Sequence, residues 1–197
     1  MNIDIVFPNG NEKSFIELAE KLGYKGLCFV CKSKGFNRNF FEKLSQESRI
    51  KLSFALLAKA DELRKAKKLS EIVFVKSSDK DRNAIERNKD FILYGLESGA
   101  RRDFIHHRAG LNQVISKLAY KNNVKIAFSF SDILNSEGAE RANIIGRMMH
   151  NIRMCRKYKV KTFIASFAEE PFQIRSAHDL MAFGKILGMD KPSLLTT

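Results

Sequence analysis

The stretch FILYGLESGARRDFIHHRAGLN, residues 91–112, decides the fold. It opens on an apolar run, 91–96, and carries a second β-type run, 103–107, after only six intervening residues. A crossover between parallel strands takes roughly a dozen residues or more, so no helix fits between these two. Outward in both directions the rhythm is regular. Short β-type runs stand at 3–7, 26–30, 51–58, 71–75, 125–130 and 161–168, and helix-like segments lie between most of them. Phe15, Ile16, Ala19 and Leu22 repeat at helical spacing, with Asn11 placed to cap the start and Gly23 the stop. Phe40, Phe41 and Leu44 mark a second helix, 60–69 a charged third, and Leu111, Val114, Ile115, Leu118 and Ala119 one face of a further one. The longest spans about 139–159. The last opens on Ser176-x-x-Asp179, a capping-box-like start, and closes at Gly188.

Eight apolar runs alternating with helices define an α/β fold with a parallel sheet, and eight is the count of a closed (β/α) barrel. The chain has 197 residues, short of the ~250 usual for that fold, and the crowded stretch at 91–107 lacks its helix. The expectation is therefore an irregular, compact, TIM-like (β/α) barrel, one domain over 1–197, with an open doubly wound sheet as the alternative.

Composition narrows the function. No linker or low-complexity tract divides the chain, 44% hydrophobic content supports a core, and no apolar run is long enough for a membrane span. The start, MNIDIVFPNG, reads as a strand and turn rather than a signal peptide. Cys28, Cys31 and Cys155 are too few for a disulfide framework, which points to a reducing cytoplasm. Cys28-x-x-Cys31 has no second pair to complete a zinc ribbon; Cys28 reads as a packing residue and Cys31 as a loop thiol.

The net charge of +13 is uneven. Residues 1–50 hold eight basic and six acidic side chains, whereas 101–161 hold thirteen basic and four acidic. The second segment is also rich in arginine, whose planar fork suits phosphate. On the helix over 139–159, Ile145, Met148, Met149, Ile152 and Cys155 share a face, and Arg147, His150, Arg153 and Lys157 fall opposite it. Such a patch would track a polyanion backbone, recognising shape rather than sequence, because the sixteen Phe sit mostly at core spacings.

Enzymatic constellations are weak by comparison. His106 and His107 are strand neighbours and point to opposite faces, no His-x-His ends the first strand, no His-Glu-x-x-His appears, and Asp4 stands alone in the first strand. There is no nucleophile elbow and no phosphate-cradling glycine loop, and Glu169-Glu170 before Pro171 reads as a solvated loop. A metal-dependent phosphoesterase on a barrel and a pure protein–protein scaffold are the competing classes.

Several features occur together in order: Asp4 in the opening strand; Leu22-Gly23-Tyr24-x-Gly26; Arg102-Asp103, then Gly110-Leu111-Asn112 and Ala119; Ile126-Ala127-Phe128; Asn151-Ile152-Arg153-x-Cys155-x-Lys157-Tyr158; Ser166; Arg175-Ser176-x-x-Asp179-Leu180; Leu187-Gly188-Met189. In this the chain resembles the archaeal ribonuclease P protein component 3 family, counterpart of the thirty-kilodalton subunit of the eukaryal enzyme. The resemblance implies an irregular TIM-like barrel serving a ribonucleoprotein that removes the 5′ leader of precursor tRNA. It also implies that the catalytic groups belong to the RNA and its Mg2+, with no cofactor in this chain, and that a second small protein subunit pairs with it, as a heterodimer or heterotetramer. The sequence departs from the family at Ala168-Glu169-Glu170, where relatives tend toward Ser-Ser-Gly-Ala-like text. The expected RNA contacts are Arg101, Arg102, His107, Arg108, Lys117, Arg147, Arg153, Lys157 and Arg175, with neither catalytic residue nor metal ligand in the chain.

Overall fold

The computed structural model describes residues 2–32, 38–98 and 110–195. Among the described residues seven strands form one all-parallel sheet in chain order: β1 (Ile3–Val6), β2 (Gly26–Lys32), β3 (Lys51–Ala58), β4 (Val73–Lys76), β5 (Ile92–Tyr94), β6 (Lys125–Ser129) and β7 (Thr162–Ala165). Eight helices accompany them: α1 (Glu12–Lys21), α2 (Arg38–Glu47), α3 (Leu63–Leu69), α4 (Asp81–Arg87), α5 (Gln113–Lys121), α6 (Phe130–Leu134), α7 (Gly138–Tyr158) and α8 (Ala177–Ile186). The expected strand at 103–107 lies outside the described residues.

The sheet curls into a nearly closed, TIM-like barrel whose seam is sewn at two levels. At the carboxyl ends of the strands Val6 bridges Ala168 in parallel, and the Phe7 N–H donates to the Ala168 carbonyl at 2.8 Å. At the opposite end Leu195 bridges Ile3 antiparallel, and the Ile164 N–H donates to the Ser193 carbonyl at 3.1 Å. The open-sheet alternative is excluded.

Strand alternation sorts the core into two layers. Ile3, Ile5, Cys28, Val30, Ala55, Phe74, Ile92, Tyr94, Ala127, Phe163 and Ala165 fill the barrel, while Leu27, Phe29, Leu56, Val75, Leu93, Ile126, Phe128 and Ile164 meet the helices. The small inward residues, Ala55, Ala127, Ala165 and Cys28, make room for the large ones, as a narrow barrel requires. Both faces of the strands are buried, which is why the runs read as continuous apolar text.

Two strands end earlier than their apolar runs suggest. β6 stops at Ser129, whose hydroxyl accepts the Asp132 N–H at 3.2 Å and caps α6, so Phe130 belongs to a helix. β7 stops at Ala165, and Phe167 turns into the left-handed region, φ 50°, a conformation uncommon for a bulky residue. That turn lays the Phe167 ring parallel to Tyr94 at a centroid distance of 5.0 Å, with Phe7 5.7 Å from Tyr94. These three rings plug the end of the barrel where enzymes of this architecture keep their active sites. Cys31, expected in a loop, lies within β2 and faces the helix layer while Cys28 faces the barrel interior.

Among the described residues no helix is long and apolar enough to cross a membrane.

Candidate nucleic-acid interface

Helix α7 carries the basic surface. Ile144, Met148, Asn151, Ile152 and Cys155 are buried against the core, which turns Gly146, Arg153 and Lys157 to the outside and leaves His150 half-buried. The helix ends on Lys159, left-handed at φ 57°, whose N–H donates to the Arg156 carbonyl. Helix α5 packs alongside α7. It starts on Asn112, whose side chain accepts the Ile115 N–H at 3.0 Å, and it buries Ser116 and Ala119 so that Lys117 and Lys121 point outward.

The predicted cations divide by what they touch. Arg153 and Lys157 on α7 and Lys117 on α5 are exposed, and none forms an ion pair among the described residues. Arg153 Nη2 lies 3.3 Å from His150 Nδ1, and Lys157 Nζ is 5.7 Å from the Tyr158 ring centroid. Arg147, in contrast, is half-buried and donates to the Glu97 carbonyl at 2.8 Å. The Glu97 side chain in turn accepts from Asn151 Nδ2 at 2.6 Å. Arg175 is not on this surface. It precedes α8, its Nη1 donates to the Phe172 and Ile174 carbonyls, both at 2.9 Å, and its guanidinium lies 5.8 Å from the Phe130 ring. Arg101, Arg102, His107 and Arg108 lie outside the described residues.

Two further arginines of the basic segment are structural. Arg141 Nε donates to the Ile133 and Ser136 carbonyls at the end of α6, and Arg156 pairs with Asp190 at 2.8 Å and reaches the Gly188 carbonyl. The outer side of α7 and the end of α8 line a groove of about 740 Å³, with Arg153, Arg156, His150, Met149 and Leu187 among its walls.

The motif residues outside the basic segment form a different unit. Asp4 Oδ1 accepts the Ser166 N–H at 2.8 Å, Ser166 Oγ accepts the Arg175 N–H at 3.2 Å, and Tyr24 Oη donates to the Arg175 carbonyl at 2.7 Å. This chain ties α1's exit, β1, β7 and the start of α8 together across the barrel seam. Asp4 is fully buried, and that burial pushes its carboxyl up to about 6 against the Ser166 hydrogen bonds, which favour the ionised form. Asp4 is thus a seam residue, with no partner ligands around it: among the described residues no three His, Cys, Asp or Glu side chains converge as a metal site. Burial likewise pushes the Cys28 thiol up to about 12 and the Cys31 thiol to about 11, so neither is a ready nucleophile.

Comparison with known proteins places this architecture. The family described as RNase P subunit p30 matches residues 1–193. Ribonuclease P protein component 3 of Thermococcus kodakarensis is 32% identical over 130 residues, 65% of this chain and 56% of that protein. The Methanocaldococcus jannaschii protein of the same name is 27% identical over 196 residues, 93% of this chain and 81% of the relative. A chain from the cryo-EM structure of archaeal ribonuclease P with mature tRNA superposes with a TM-score of 0.82 at 25% identity, over 95% of this chain and 83% of that one. With the family model matching residues 1–193 and the barrel superposed along nearly its whole length, the chain belongs to the RNase P subunit p30 family.

Proposed function

We propose that the chain is a protein subunit of ribonuclease P that binds and stabilises the catalytic domain of the enzyme's RNA, while the RNA and its Mg2+ remove the 5′ leader of precursor tRNA. One observation carries this: Lys117, Arg153 and Lys157 stand exposed on adjoining helices, with no ion pair among the described residues. Cations left unmatched on one face are arranged to neutralise phosphate and release its counterions. Arg101, Arg102, His107 and Arg108 join the same contact surface in this reading. Arg147, whose fork also serves the Glu97 carbonyl, adds its charge to the RNA contact; Arg175, away from α5 and α7 and engaged with the Phe172 and Ile174 carbonyls, falls outside it. A protein that binds the folded RNA domain and not the unfolded one stabilises it by mass action. The same reading gives the chain a second small protein subunit as companion, in a heterodimer or heterotetramer, and a cytoplasmic setting.

Reconstitution tests the reading. Replacing Arg101, Arg102, Arg153 and Lys157 by alanine should lower ribonuclease P activity and RNA affinity with the circular dichroism spectrum unchanged. The slope of log affinity against log salt should flatten by about 0.7 to 0.9 for each phosphate no longer neutralised. Wild-type activity and slope in the quadruple variant would reject the assignment.

A further inference from the structure

One corner of the molecule has the opposite character. Residues 162–197 hold three basic side chains, Arg175, Lys185 and Lys191, against four acidic ones, Glu169, Glu170, Asp179 and Asp190, in a chain whose total is +13. After β7 the exposed pair Glu169-Glu170 leads into a single 3-10 turn, Pro171–Gln173, with Phe172 at its centre. Phe172 is 74% exposed, the highest value among the large apolar side chains described. Leaving such a ring in water forgoes the stabilisation that burying its apolar area would give.

A flexible loop would fold the ring back onto the surface, but this turn is held from several directions. Gln173 Oε1 accepts the N–H groups of both Glu169 and Glu170, at 2.9 and 3.1 Å, and its Nε2 donates to Asn135 Oδ1 at 3.1 Å. Asn11 Nδ2 donates to the Glu169 carbonyl at 3.2 Å, and the Arg175 guanidinium clamps the Phe172 carbonyl from the other end. Pro171 removes the backbone freedom that remains at the start of the turn.

We infer that the Glu169–Phe172 turn is a docking knob for another protein, the companion subunit of the ribonucleoprotein, which meets it with an apolar socket rimmed by lysine or arginine. The inference rests on the reading that the chain works inside ribonuclease P with a protein partner. Charge complementarity selects the occupant: two exposed carboxylates beside the ring repel phosphate and attract a basic protein, and a buried aromatic anchor is the usual centre of such an interface. It also separates the two contacts on the molecule, protein at the barrel mouth and RNA along α5 and α7.

The test uses the full chain, the purified companion small protein subunit of the same cell's ribonuclease P, and the enzyme's RNA. Phe172→Ala should weaken association with the companion at least tenfold by titration calorimetry, with RNA affinity of the chain alone unchanged. Glu169→Gln with Glu170→Gln should weaken the protein pair at low salt and match wild type at high salt. Unaltered pairing in Phe172→Ala overturns the inference. So does a loss of RNA affinity in that variant, which would make the ring a base-stacking platform. A wild-type chain that binds RNA but not the companion sinks the docking knob alone. One that binds the companion but not RNA sinks the proposed RNA contact instead.

Discussion

Asp4 stands alone in the opening strand by sequence, and its surroundings in the fold make it a latch. Oδ1 accepts from the Ser166 backbone, and Oδ2 has no hydrogen-bond partner among the described residues. With the folded-state carboxyl raised to about 6 from about 3.8, the native chain holds a proton that the unfolded chain gives up. Stability from this group is therefore full below about pH 4 and is lost as pH rises through 6, the reverse of an ion-paired aspartate. Asp4→Asn keeps an acceptor for Ser166 without the charge. Its stability relative to wild type, from urea melts, should rise by roughly 3 kcal/mol between pH 3.5 and pH 7; a pH-independent difference would show a carboxyl that ionises as it does in water. Lys159 offers a second single-residue test. It holds a left-handed helix end that suits glycine, so Lys159→Gly should stabilise the protein by about 0.5 to 1 kcal/mol in thermal or urea unfolding.

At the scale of elements, legibility follows burial pattern and caps. The strands are readable because both faces are packed, and α8 because Ser176 and Asp179 make the expected cap, with the Ser176 hydroxyl accepting the Asp179 N–H at 3.2 Å. The outward band on α7 is readable in part: Arg153 and Lys157 are exposed as helical spacing sets them, but Met149, expected on the buried face, is 47% exposed, and Arg147, expected outward, reaches the Glu97 carbonyl. Asn11 has the expected position and a different role: it stands at the N-cap of α1, but its side chain accepts the Asn9 N–H and donates to the Glu169 carbonyl. Helices α4 and α6 escape a periodic reading because each is short and offers few apolar residues to it; α4 buries only Ala84, Ile85 and the carboxylate Asp81. What no spacing could reveal is which arginines are already engaged. Arg147 and Arg156 bond to carbonyls brought in from elsewhere in the fold, and Arg141 and Arg175 to carbonyls of the turns just before them. The exposed cations Lys117, Arg153 and Lys157 emerge only once those four are set aside.

For the molecule as a whole, the seam is the point of greatest leverage. Leu195, 2% exposed, packs into the barrel interior through the bridge to Ile3 at the end opposite the Phe7, Tyr94 and Phe167 plug. Leu195→Ala should cost about 2 to 5 kcal/mol, the usual range for truncating a buried leucine, read as a lower urea midpoint at unchanged slope. Ile3 leaves the ribosome long before its bridging partner Leu195, which stands at the end of the described residues. The nascent chain must therefore wait as an incomplete ring, its first strand lacking a neighbour on one side, while nearly all of the barrel is synthesised. Closure then comes as a late, abrupt event, and the span of that wait is when a growing polypeptide of this kind most needs a chaperone's shelter.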